Sequence, residues 1–138
     1  MQSLLYTNLM RYLGIDYGAK RVGIALSDER GDFVYPLKVL ENTKDLIHDI
    51  LSICEENKVD EVVVGESRNF NQKENEIMKE IMPFVDELKK ELNIPVSMHP
   101  EFMTSQEAER LQGKNEMHDA SAAALILKSY LDTIRNHS

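Results

Sequence analysis

Two short apolar runs flank a glycine-marked turn, and the first of them ends in an aspartate. The stretch reads Arg11-Tyr12-Leu13-Gly14-Ile15-Asp16-Tyr17-Gly18-Ala19-Lys20-Arg21-Val22-Gly23-Ile24-Ala25-Leu26-Ser27. Apolar residues on both sides of Asp16 predict a strand–turn–strand hairpin with its interior in the core. A carboxylate in that place is costly unless a metal ion or a cluster of hydrogen-bond donors compensates it. Gly18 suits a tight turn and the close approach of a ligand to the backbone. Lys20 and Arg21 add two cations beside the same spot. Strand-end acid, open turn and adjacent bases point to a site that handles phosphate through a divalent metal.

The pattern downstream tells what this hairpin belongs to. Residues 33–39 read as a third strand, in which Pro36 marks an edge position or a bulge. From Thr43 to Asn57, Leu46, Ile47, Ile50, Leu51, Ile53 and Cys54 recur at helical spacing, with Thr43 as N-cap and Asp45 in the first turn. Glu61-Val62-Val63-Val64-Gly65 has the β-branched density of a buried parallel strand. A polar loop from Ser67 to Gln72 leads to an acidic helix over about 73–92, with Pro83 as a candidate kink. Another strand starts near Asn93 and ends near Pro100-Glu101. A helix capped at Thr104 runs to about Gln112, where Gly113 stops it. The last helix begins near Met117, and its early alanines let it lie close to a sheet. Three meandering strands followed by two helix–strand units predict an α/β fold, a mixed five-stranded sheet with helices on both faces.

At 138 residues the chain fits one compact domain, expected over 11–138 after a disordered extension at 1–10. Met1 to Leu9 has neither the basic start nor the apolar core of an export signal, and the apolar runs are too short to span a membrane. The lone Cys54 has no internal partner and fills core, as suits a reducing cytoplasm. A net charge of −8 argues against a general nucleic-acid coat, though it leaves room for a locally basic active face.

Four carboxylates, Asp16, Glu66, Glu101 and Asp119, fall at strand ends or at a helix start. In a parallel α/β sheet such positions converge on one edge. Hard divalent cations take oxygen ligands of this kind, and two ions about 4 Å apart activate water and stabilise a leaving oxygen. Any one of these acids alone fits equally a solvated loop or a helix cap. Lys20, Arg21 and Arg68 are the best placed to contact phosphate; Lys73, Arg110 and Lys114 are scattered surface bases. His118 beside Asp119 and His99 near Glu101 are candidates for proton transfer, or plain surface residues.

Gly14-Ile15-Asp16-Tyr17-Gly18, Lys20-Arg21-Val22-Gly23-Ile24-Ala25 and Ser27-Asp28 resemble the opening of the YqgF/RuvX family of Holliday junction resolvases. The resemblance continues through Val63-Val64-Gly65, Thr104-Ser105 with Glu107-Ala108-Glu109, and Asp119-Ala120 with Ala122-Ala123-Ala124. It implies the ribonuclease H-like fold, a magnesium or manganese cofactor, and a nuclease role in maturing the small-subunit ribosomal RNA precursor. It carries Asp16, Glu101 and Asp119 over as catalytic acids. Two departures stand out. Pro100-Glu101-Phe102 replaces the family's usual Asp-Glu-Arg, which removes an arginine that would touch phosphate. Glu66-Ser67 replaces Leu-Pro, and the glutamate resembles the placement of an acid in RuvC-type resolvases, an added or substitute ligand.

The readings in play are therefore a metal-dependent nuclease on structured RNA or branched DNA, monomeric or homodimeric and with the pre-ribosomal particle as a candidate partner; a fragment of an actin-like ATPase, whose first phosphate loop the Asp16-x-Gly18 hairpin also resembles; and a non-catalytic ribosome-assembly factor. Manganese-dependent cleavage lost on Asp16→Asn separates the first from the third, and ATP turnover marks the second.

Overall fold

The structure, a computed structural model, describes residues 9–67, 72–101 and 118–136. Among them are the strands β1 (Tyr12–Tyr17), β2 (Arg21–Ser27), β3 (Val34–Glu41), β4 (Glu61–Ser67) and β5 (Val96–Glu101). The described helices are α1 (Leu46–Glu56), α2 (Gln72–Glu91) and α3 (His118–Asn136). The strands form one sheet in the order β3-β2-β1-β4-β5. β1, β2 and β3 pair antiparallel, whereas β4 pairs parallel with β1 and with β5. The hairpin around Asp16 and the mixed five-stranded sheet are thus both present.

Strand alternation gives the sheet two apolar faces. Leu13, Ile15, Val22, Ile24, Leu26, Val62 and Val64 share one core with Leu46 and Ile50 of α1 and Ile81, Val85 and Leu88 of α2. Their neighbours Tyr12 and Val63 point the other way, onto Ile126, Leu127 and Leu131 of α3. Burying one such aliphatic side chain contributes about 1.5–3 kcal/mol. The valines at 62, 63 and 64 are all fully buried, so β4 is anchored from both sides.

Local chemistry explains where elements begin. α1 starts at Leu46, later than a Thr43 cap predicts. Thr43 instead forms a turn: its hydroxyl accepts from the Asp45 N–H at 3.2 Å and its carbonyl from the Leu46 N–H at 3.1 Å. Pro36 satisfies both expectations, because β3 is an edge strand and its pairing slips between Ile24 and Ala25. α2 runs unbroken past Pro83. Cys54 is buried, and burial pushes its thiol up to about 11. Met10 packs half-buried against the Tyr12 cluster. Residues 1–8 and the helix expected over 104–112 lie outside the described residues. No described helix is long and apolar enough to cross a membrane.

Candidate metal-binding and nucleic-acid site

The site is built where α3 begins. Asp16 of β1 sits opposite Gly23 of β2. A Cβ at Gly23 would overlap the Asp119 carbonyl oxygen, so the first turn of α3 rests directly on the partner of Asp16. The same closeness continues at Gly14, where a Cβ would stand 2.9 Å from the Ala123 carbonyl oxygen and from the Leu127 Cβ. Ala120 and Ala123 supply the other half of this packing and are fully buried. Glycines in the strands and alanines in the helix are therefore complementary, and the complement brings Asp119 over the Asp16 row. By alternation with Tyr12 and Gly14, Asp16 lies on the α3 face.

Charge at this notch is partly compensated. Arg21 Nε lies 3.1 Å from Asp119 Oδ2, with the arginine side chain 69% exposed and the aspartate 26%. The turn that carries Lys20 and Arg21 is clamped by Asn42. Its side-chain amide donates to the Gly18 carbonyl at 2.7 Å and its backbone N–H to the Lys20 carbonyl at 2.9 Å. A Cβ at Gly18 would stand 2.5 Å from the Arg21 carbonyl oxygen, which is the tight turn the sequence predicts.

β5 contributes to the same face. The Ser97 hydroxyl donates to Glu61 Oε2 at 3.0 Å, and the Tyr130 hydroxyl of α3 donates to that oxygen at 2.5 Å. His99 Nε2 is 2.9 Å from Ser129 Oγ, also on α3, and burial lowers the imidazole's affinity for a proton. Glu101 is the next position of this parity, at the end of β5 and paired with Ser67; its side chain lies outside the described residues. His118 opens α3, and its side chain is likewise outside them, as is Arg68.

Glu66 falls in the neighbouring row of the sheet. Ile15 pairs with Val64, which sets Gly65, not Glu66, beside Asp16. Glu66 has the parity of Val62 and Val64 and falls on the face covered by α1 and α2. A step of one residue along a strand reverses the face, and spacing in the sequence does not reveal that register. Among the described residues no three His, Cys, Asp or Glu side chains form a group able to hold a metal ion. Asp119 rests through its backbone on Gly23, the strand partner of Asp16. Sequence reasoning also missed Asn42 and the Glu61–Tyr130–Ser97 cluster, whose members are far apart in the chain and carry no local signal.

Residues 10–133 match the model of the RuvX family, described as Holliday junction resolvase. The chain is 34% identical to a Rickettsia rickettsii (strain Sheila Smith) protein named "Putative pre-16S rRNA nuclease", over 90% of this chain and 87% of that one. A protein of the same name from Desulforudis audaxviator (strain MP104C) is 35% identical over 90% of this chain and 95% of its own. Among solved structures, T. thermophilus RuvC in complex with a Holliday junction substrate superposes with a TM-score of 0.60 at 17% identity, covering 91% of this chain and 96% of that one. The fowlpox virus Holliday junction resolvase gives 0.55 at 15% identity, covering 91% and 99%. Likeness at such identities is likeness of fold, here the ribonuclease H-like fold of resolvases.

Proposed function

The chain belongs to the RuvX family of Holliday junction resolvases, and from that premise we propose that it is a divalent-metal-dependent nuclease that matures the small-subunit ribosomal RNA precursor in the cytoplasm. The observation that carries this reading is the seat of Asp119 on Gly23, the strand partner of Asp16. On this reading two carboxylates from distant parts of the chain share one glycine-floored notch. The donors are carboxylate oxygens, the chemistry that magnesium or manganese prefers. Asp16 and Asp119 would hold the ion, joined by Glu101 from the end of β5. Glu66 stands apart by register.

When bound, the ion supplies an activated water and stabilises the leaving oxygen of a phosphodiester. The protein's own groups do the rest. Asp16 is fixed by the β1–β2 pairing, and Asp119 by close packing of α3. Lys20 and Arg21, on a turn clamped by Asn42, neutralise the phosphate that enters. Arg68, just past β4, is proposed as a third phosphate contact. These are backbone contacts and do not select sequence. The support for RNA is the name borne by the relatives, and the fold alone suits a branched DNA equally.

The test is cleavage of a small-subunit rRNA precursor fragment and of a four-way DNA junction, side by side, with Mg²⁺ or Mn²⁺. The expected result is metal-dependent cleavage of the RNA, absent in chelator and in Asp16→Asn. Preferential cleavage of the junction would reassign the substrate. Binding of the RNA precursor without any cleavage would make the protein an assembly factor with a remnant acid cluster.

A further inference from the structure

Arg21 holds a position that neither the fold nor the proposed phosphate contact by itself explains. Its Nε bonds Asp119, one of the two acids that the notch brings together. Two carboxylates in one notch repel, and a cation between them and solvent relieves the repulsion. The partners differ in freedom. Asp119 is 26% exposed and anchored by the helix start, whereas the Arg21 side chain is 69% exposed and hangs from the first residue of β2. The base of that side chain is fixed by the Asn42 clamp on the adjoining turn. The guanidinium therefore moves on a short leash from a fixed root.

We infer that Arg21 is the exchangeable counter-ion of the acid site: it neutralises Asp119 in the metal-free protein and passes to a substrate phosphate when a divalent ion takes that carboxylate. An exposed ion pair contributes only about 0.2–1 kcal/mol, so a divalent cation displaces it at small cost. The released guanidinium is suited to phosphate, which it meets with parallel N–H donors. The site is thereby ordered, with metal before substrate: while the guanidinium lies on Asp119 its charge is spent on that carboxylate, and it neutralises a phosphate in full only once the metal has taken the acid. This inference rests on the metal-site reading of Asp16 and Asp119.

The experiment measures Mn²⁺ binding by calorimetry and RNA affinity against salt, for the wild type, Arg21→Gln and Arg21→Lys. Circular dichroism confirms that the variants fold, as expected for an exposed strand-start residue. Arg21→Gln should bind Mn²⁺ about two- to five-fold more tightly, the fold-change equivalent to releasing one exposed pair. Arg21→Lys should stay closer to the wild type. With Ca²⁺ present, Arg21→Gln should lose about 0.9 from the log–log salt slope of RNA binding, one phosphate contact. In chelator the slope should not change. Mn²⁺ affinity that is equal or weaker in Arg21→Gln overturns the counter-ion role, while measurable wild-type binding leaves the metal site standing. Absence of Mn²⁺ binding in all three proteins overturns the metal site itself, and the counter-ion role with it.

Discussion

The two ends of α3 are held in opposite ways. At its start the contact is backbone against backbone, Asp119 on Gly23, with one ion pair to the exposed Arg21 side chain. At its far end side chains do the holding. Arg135 Nη2 donates to the Gly31 carbonyl at 2.5 Å and to Asp32 Oδ1 at 2.7 Å. Tyr130 donates to Glu61 and packs against Tyr12, ring centroids 6.3 Å apart. His99 meets Ser129 from β5. The turn that Arg135 reaches is itself organised by Asp28, whose carboxylate accepts the Asp32 N–H at 2.7 Å and the Phe33 N–H at 3.2 Å. The difference is one of means: backbone packing seats the start of the helix beside the acids, and side-chain bonds hold its far end.

The largest effect that sharpens this contrast comes from Gly23→Val. A side chain there drives into the backbone of Asp119, so the variant should lose cleavage and about 1–3 kcal/mol of stability, read by chemical denaturation. Full activity in a folded Gly23→Val protein would mean that the helix start need not touch β2. Next is Tyr130→Phe, which removes a donor from the Glu61 carboxylate and should cost about 1.5 kcal/mol. Its Mn²⁺ affinity should equal that of the wild type, since the far end fastens and does not bind. Smaller again is Arg135→Ala, about 0.5–1 kcal/mol for a partly exposed contact at the same end.

The smallest effect is a pH dependence at the far end. Burial, then the bond to Glu61, raises the Tyr130 phenol above its usual 10.0. A raised value in the folded state contributes stability that is whole below the unfolded value and is lost as pH climbs through the folded one. The thermal midpoint should therefore fall above pH 10, and fall less in Tyr130→Phe. Equal alkaline slopes in the two proteins would show that neither burial nor Glu61 raises the phenol in the folded state.

The strands were legible because alternation and β-branched runs announce them, as at Val62–Val64. The notch was half legible. Gly23 and the alanines of α3 are visible in the sequence as small residues, but that one seats upon the other needs the fold. Register was not legible at all: nothing in the spacing says that Ile15 pairs with Val64, and so which face each residue at the end of β4 takes. Contacts such as Asn42 to Gly18 and Tyr130 to Glu61 join residues with no common pattern, so only the folded chain reveals them.

The most direct test of the central claim is the position of manganese in crystals of this protein, located by its anomalous scattering. The account predicts a peak within direct ligation distance, roughly 2.0–2.3 Å, of carboxylate oxygens of both Asp16 and Asp119, with Arg21 turned away from Asp119. Manganese bound elsewhere, with the Arg21–Asp119 pair intact at metal concentrations that support cleavage, would contradict it.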